Sequence, residues 1–212
     1  MLDRRAKRIV WTFLIGVIAS EGMAIAFSFR AKGNWAAALV HYTVTPPGTP
    51  LAWALAAAVT LAYAAFSAAG SPVIRAHMLR PSTWQPYAAM VGVAVPMALI
   101  SGFFEEAFFR KVMMDIAMRD GASIALQIAL SALGFGAVHA IWGLLGGNWR
   151  GAMAAMLATG GLGAALAFVY VVGGRSLAPC VAAHIAINLL IEPWLLITAA
   201  TNGWSRRTAI LA

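Results

Sequence analysis

Charge is what this sequence has least of. Asp, Glu, Lys and Arg make up 10% of its 212 residues, hydrophobic residues make up 62%, and the mean hydropathy is +0.81. A soluble domain carries about 25% charged residues, so this chain cannot cover itself with a water-compatible surface. Cysteine is nearly absent as well. Cys180 stands alone, which excludes an intrachain disulfide and any paired-cysteine metal site; it reads as a small apolar core residue. Acids are few, seven against fifteen Lys and Arg, leaving a net charge of +8. In a soluble protein that excess would suggest nucleic acid. Here the basic residues flank apolar runs, so they fit topology setting and anionic lipid headgroups, and nucleic acid is excluded as a partner. There is no internal repeat and no low-complexity tail. No basic residue follows Gly160-Gly161-Leu162-Gly163 closely enough for a phosphate loop, so that cluster reads as a tight-packing site.

What the sequence has in abundance is long hydrophobic runs. The length accommodates about six spans of ~20 residues, predicted over 8–29, 51–69, 87–118, 122–144, 151–172 and 177–201. The fold class expected is all-α, a polytopic transmembrane helix bundle forming one integral membrane domain over residues 1–212. The first run follows a basic start but is too long for a signal-peptide core, so it is expected to be retained. Pro46, Pro47 and Pro50 break regular structure before the second run. Pro96 is expected to kink the third. His41 suits the headgroup region, and Glu21 reads as a hydrogen-bonded acid or the lining of a polar cavity.

Against this apolar background, one stretch stands out: Ser101-Gly102-Phe103-Phe104-Glu105-Glu106-Ala107-Phe108-Phe109-Arg110. Ionised groups at membrane depth cost at least a few kcal/mol each and persist when paired, hydrated or chemically used. Glu106 and Arg110 are four apart and share a helix face, which suits a structural clamp. Glu105 is rotated about 100° from Glu106 and faces a different partner. Phe135 and His139 are four apart on the fourth run, as are His184 and Asn188 on the sixth. Three separate helices thus each carry a polar face that can turn inward.

These residue types complement one another. A buried glutamate can take a proton from water, and a histidine can hold that water in place. A second histidine and an asparagine can offer N–H donors to an oxyanion. Together they are the parts of a peptide hydrolase that uses activated water. The same atoms also compose a two-histidine, one-carboxylate zinc set, Glu105, His139 and His184, although no His-Glu-x-x-His helix occurs. Hydrogen-bonded packing residues are the plainer alternative. It accounts for each motif singly better than for all three in order inside separate hydrophobic segments. A cysteine nucleophile, with Cys180 four residues before His184, has no further partner in the sequence.

At these residues the chain resembles the CAAX protease and bacteriocin-processing (CPBP, or Abi) family of intramembrane endopeptidases. The family pattern is Glu-Glu-x-x-x-Arg, Phe-x-x-x-His and His-x-x-x-Asn. Here it reads Glu105-Glu106-Ala107-Phe108-Phe109-Arg110, Phe135-Gly136-Ala137-Val138-His139 and His184-Ile185-Ala186-Ile187-Asn188. The lead-in Arg175-Ser176-Leu177-Ala178-Pro179 is also similar. The resemblance covers about residues 87–195 and departs from the family at Lys111, where glycine is frequent.

The resemblance implies that Glu105 is the base, that His139 holds the water with it, and that His184 and Asn188 form the oxyanion site. Glu106, Arg110 and Phe135 would be structural support. It implies a substrate peptide or protein in or at the membrane, such as a prenylated C-terminal peptide or a peptide precursor. A glutamate mechanism without cofactor is favoured, with zinc as the alternative. The alanine-rich, apolar composition fits a bacterial inner membrane. Two readings from other classes stay open: a non-proteolytic membrane interaction or immunity protein, and a small transporter using Glu21 and Glu105. Substrate, orientation and oligomeric state are not written in the sequence.

Overall fold

The computed structural model describes residues 15, 19, 26, 46–70, 75, 76, 79, 84–145 and 149–200. All regular structure among them is helical. α1 spans Pro50–Gly70, α2 Trp84–Glu106, α3 Asp115–Arg119, α4 Ile124–Leu145, α5 Trp149–Val172 and α6 Ala178–Ala200. Between α2 and α3, with no break, lies a π-helical segment, Ala107–Met114. Five of the six expected runs are therefore helices. Most of the first run, with Glu21, and most of the connection, with His41, lie outside the described residues. Among the described residues, three helices are long and apolar enough to cross a membrane: Pro50–Gly70, Met90–Arg119 and Trp149–Val172. Apolar stretches of α4 and α6, Ile124–Ala140 and Ala178–Trp194, are shorter.

Local chemistry sets the helix starts. The Thr49 hydroxyl accepts the Ala52 N–H at 3.1 Å, and Pro50 follows in the first turn, where its missing N–H costs nothing. Ser123 accepts from Leu126 at 3.3 Å and Ser176 from Ala178 at 3.3 Å, so α4 and α6 begin with the same device. Inside α6, Pro193 cannot donate to the Leu189 carbonyl. The Tyr87 hydroxyl donates to that freed oxygen at 3.4 Å, and the Tyr87 ring stacks on Trp194 with centroids 4.1 Å apart.

Side-chain size runs opposite to a soluble protein. Large apolar residues such as Leu61 and Leu157, each 70% exposed, face outward, while Ala52, Ala56, Ala94, Ala98 and Ala167 are buried. An outer face of this kind suits lipid, and small interior residues let helix backbones come close. A Cβ on Gly136 would lie 2.5 Å from the Met156 carbonyl oxygen, and one on Gly163 would lie 3.2 Å from the Ala132 Cα. α4 and α5 therefore meet through glycine, as expected for the Gly160–Gly163 cluster. α2 packs on α6 in the same manner: a Cβ on Gly102 would sit 2.7 Å from Ile185 Cγ1.

The α5–α6 turn is locked from several sides. Arg175 adopts a left-handed φ of 64°, a conformation that costs a non-glycine residue roughly 1–2 kcal/mol. Its guanidinium pairs with Asp115 and donates to Gln127 Oε1, and the Tyr170 hydroxyl donates to Asp115 at 3.1 Å. The Ser176 hydroxyl donates to the Pro46 carbonyl, and Thr49 Oγ1 donates to Val172 O at 3.2 Å. These bonds tie the segment before α1, α3 and α4 to the start of α6, which carries His184 and Asn188.

Candidate active site

The end of α2 delivers two adjacent carboxylates to different surroundings. The 100° between successive helical residues turns the Glu106 side chain into the core, 0% exposed, and leaves that of Glu105 at an edge, 22% exposed. Glu106 Oε2 lies 3.0 Å from Arg110 Nε, an ion pair at contact distance without the alignment of a hydrogen bond. Glu106 Oε1 accepts from His184 Nδ1 at 2.8 Å. Glu106 thus serves both Arg110 and His184, where the sequence pointed only to the first.

Arg110, fully buried, donates from Nη2 to the Gly163 carbonyl at 3.3 Å and holds its guanidinium carbon 4.8 Å from the Phe135 ring centre. Its Nη1 has no hydrogen-bond partner among the described residues. The π-helical turn that follows is a strained form common at functional sites, and it is held by the burial of Phe109, Arg110, Val112 and Met114. Lys111 lies in the same segment and is partly buried.

Phe135 is the hub of the site. Its ring is 4.5 Å from His139, 5.5 Å from His184 and 5.2 Å from Phe109, centre to centre. Side chains of the π segment, α4 and α6 therefore converge on one aromatic ring.

Glu105 and His139 form the open part. His139 Nδ1 lies 2.7 Å from the Phe135 carbonyl. A carbonyl only accepts, so Nδ1 carries the proton, and in the neutral ring Nε2 presents a lone pair. That Nε2 faces Glu105 Oε2 at 3.7 Å, too far for a direct hydrogen bond. Glu105 Oε2 is itself cut off from solvent and has no hydrogen-bond partner among the described residues. Two acceptors at this distance call for a shared donor, and a water molecule has two O–H groups to supply.

Asn188, one turn after His184 on α6, donates from Nδ2 to Ser101 Oγ at 3.0 Å. Its second amide hydrogen is left for another acceptor. Ser101 carried no assigned role in the sequence reading, yet its place four residues before Glu105, on the same helix, was the available signal.

The structure brings Glu105 to His139 and Glu106 to His184 and Arg110, and it brings Asn188 to Ser101. Among the described residues, no three His, Cys, Asp or Glu side chains are arranged to hold a metal ion, and His184 commits Nδ1 to Glu106. Cys180 is buried, and its thiol donates to the Leu166 carbonyl at 3.3 Å.

Residues 85–190 match the family model for the Rce1-like type II CAAX prenyl endopeptidases. The chain belongs to the Rce1-like family. The matched region runs from the first turn of α2 to Leu190, so it contains every side chain placed around Phe135. Membership in the Rce1-like family implies a protease, and with three membrane-compatible helices it makes the chain an integral membrane protein. No curated protein and no solved structure matches the chain.

Proposed function

We propose that this chain is an intramembrane endopeptidase that cleaves a peptide bond of a membrane-associated substrate, with Glu105 as the general base. The substrate class taken from the family's description is a prenylated C-terminal peptide. A bacterial inner membrane, proposed from the alanine-rich composition, is its location. The opposed acceptors, Glu105 Oε2 and His139 Nε2 at 3.7 Å, carry this reading. A water bridging them donates one hydrogen to each and turns a lone pair outward.

Glu105 takes a proton from that water, the remaining hydroxide oxygen bonds to the scissile carbonyl carbon, and the carbonyl electrons move to oxygen. The free Asn188 N–H meets the developing oxyanion, and Ser101 fixes the amide in place. His184 can join from Nε2 only as an imidazolium, because its Nδ1–H already faces Glu106. Glu106, Arg110 and Phe135 are positioning residues. Collapse of the tetrahedral intermediate breaks the C–N bond, and Glu105 returns its proton to the leaving amine nitrogen. Glu105 and His139 hold the water in this scheme without a metal.

The test uses the purified full chain in proteoliposomes with a farnesylated peptide, scored by mass of the released fragment. Wild type should cleave, and Glu105→Gln should lose cleavage while unfolding at the wild-type temperature. Undiminished cleavage by Glu105→Gln would sink the mechanism. Activity abolished by a chelator and restored by zinc would replace the metal-free scheme with the zinc alternative.

A further inference from the structure

Among the described residues, α6 carries one acid, Glu192, which the scheme above does not use. It continues the line of His184 and Asn188 at four-residue intervals. Each such step turns the side chain by about 40° on an α-helix, so Glu192 stands one turn beyond Asn188 on a neighbouring line of the same face. That face is turned to α2, where His184 meets Glu106 and Asn188 meets Ser101. The Glu192 carboxylate interacts electrostatically with His184 and Glu105. Its Oε2 is cut off from solvent and has no hydrogen-bond partner among the described residues. The family match ends at residue 190, two residues before Glu192, and Glu192 lies outside the three family motifs.

The environment there is short of cations. Glu105, Glu106 and Glu192 are three acids, and among the described residues the permanent cation shown beside them is Arg110, already bound to Glu106 and to the Gly163 carbonyl. An isolated carboxylate in low dielectric is costly unless a positive partner arrives. The helix is also opened at this level. Pro193 releases the Leu189 carbonyl, and Tyr87 caps it at 3.4 Å. An acid with no hydrogen-bond partner among the described residues, next to a proline in the helix and one turn from the oxyanion donor, has the form of a subsite.

We propose that Glu192 is a specificity-determining residue that receives a cationic side chain, lysine or arginine, of the peptide substrate. This rests on the endopeptidase reading given above. The peptide lies along α6, with its scissile carbonyl at Asn188 and its basic residue one turn away at Glu192.

Two measurements on the purified full chain test this. The first is cleavage of matched peptides carrying Lys, norleucine or Glu in turn at each of the four positions on either side of the scissile bond. The expected result is one position where Lys exceeds norleucine about tenfold in kcat/KM. That ratio should fall to near one in Glu192→Gln, and Glu192→Lys should favour the Glu peptide over the Lys peptide. The second is equilibrium binding of the same fluorescent peptides to Glu105→Gln, which needs no turnover.

Cleavage by wild type with no charge preference at any position overturns the subsite and leaves the protease reading standing. A Lys preference that survives in Glu192→Gln also overturns it. Absence of cleavage, together with Lys-selective binding that Glu192→Gln abolishes in the Glu105→Gln background, supports the subsite and removes the protease reading. If Glu192→Gln does not fold, the wild-type peptide series decides alone, since a flat series overturns the proposal.

Discussion

Glu105 and Glu106 are neighbours in sequence with the same side chain, and the bundle gives them opposite situations. Glu106 is closed in: both oxygens are engaged, one by Arg110 and one by His184, with no exposure. Glu105 is left open: one oxygen is cut off from solvent, lacks a hydrogen bond and faces an imidazole lone pair at 3.7 Å. A carboxylate held between an arginine and a histidine contributes to structure. One whose bonds are withheld is ready to accept a proton from an incoming water. The difference comes from one helical step of 100°, which sends Glu106 to Arg110 and His184 in the core and leaves Glu105 at a partly exposed edge beside His139. The Asp115–Arg175 pair at the α5–α6 turn belongs with Glu106. Its charges are matched and further bonded to Tyr170 and Gln127, and it secures the helix that carries His184.

Five substitutions, two of them combined in a double variant, break or sharpen this contrast. The largest effect is expected from Glu105→Gln, which should lower kcat by about 10⁴-fold, the upper end for a general base, with thermal unfolding in detergent unchanged. Loss of stability without loss of rate would reverse the assignment of the two glutamates. Next comes Arg110→Leu, which strands the Glu106 charge in the core and should cost about 3–5 kcal/mol of unfolding free energy. Adding Glu106→Gln to it should recover part of that loss, since the stranded charge is then gone. A double variant no more stable than the single one would argue against Glu106 as the paired, structural member.

Gly136→Ala places a Cβ against the Met156 carbonyl and should cost about 1–3 kcal/mol through overpacking, measured by the same unfolding assay. It tests whether the Phe135–His139 side of the site depends on close α4–α5 contact. The smallest effect is expected from Ser101→Ala, which removes one hydrogen bond worth about 1 kcal/mol. It should lower kcat about fivefold by freeing the Asn188 amide, with KM nearly unmoved and no more than about 1 kcal/mol lost in unfolding. A change in KM alone would mean that Asn188 does not serve the reaction.

Much of this arrangement could be read from the chain. Low charge and long apolar runs mark helices in lipid, and five of the expected runs are present as helices with close to the expected ends. The glycines of α5 declared a packing face because glycine in a membrane helix has little other use there. The three polar motifs were legible because each sat within a segment otherwise without charge. Other features were not. No residue type between Ala107 and Met114 signals a π-helix, since that turn is imposed by packing. The Asp115–Arg175 pair joins residues sixty positions apart, and Ser101 looked like one small residue in an apolar run.

By itself the amino-acid order determined that this protein would be helical, that it would turn apolar side chains to its outer face, and that its few polar groups would be confined to a handful of helix faces. Periodicity and the cost of charge in hydrocarbon are local properties, and they leave their mark residue by residue. Only the packed bundle decided which polar groups met: Glu106 with His184, Asn188 with Ser101, Glu105 with His139, and Glu192 with no partner among the described residues. Those pairings depend on how closely two backbones approach and at what rotation, and such distances are set by the glycines and the hub ring acting together.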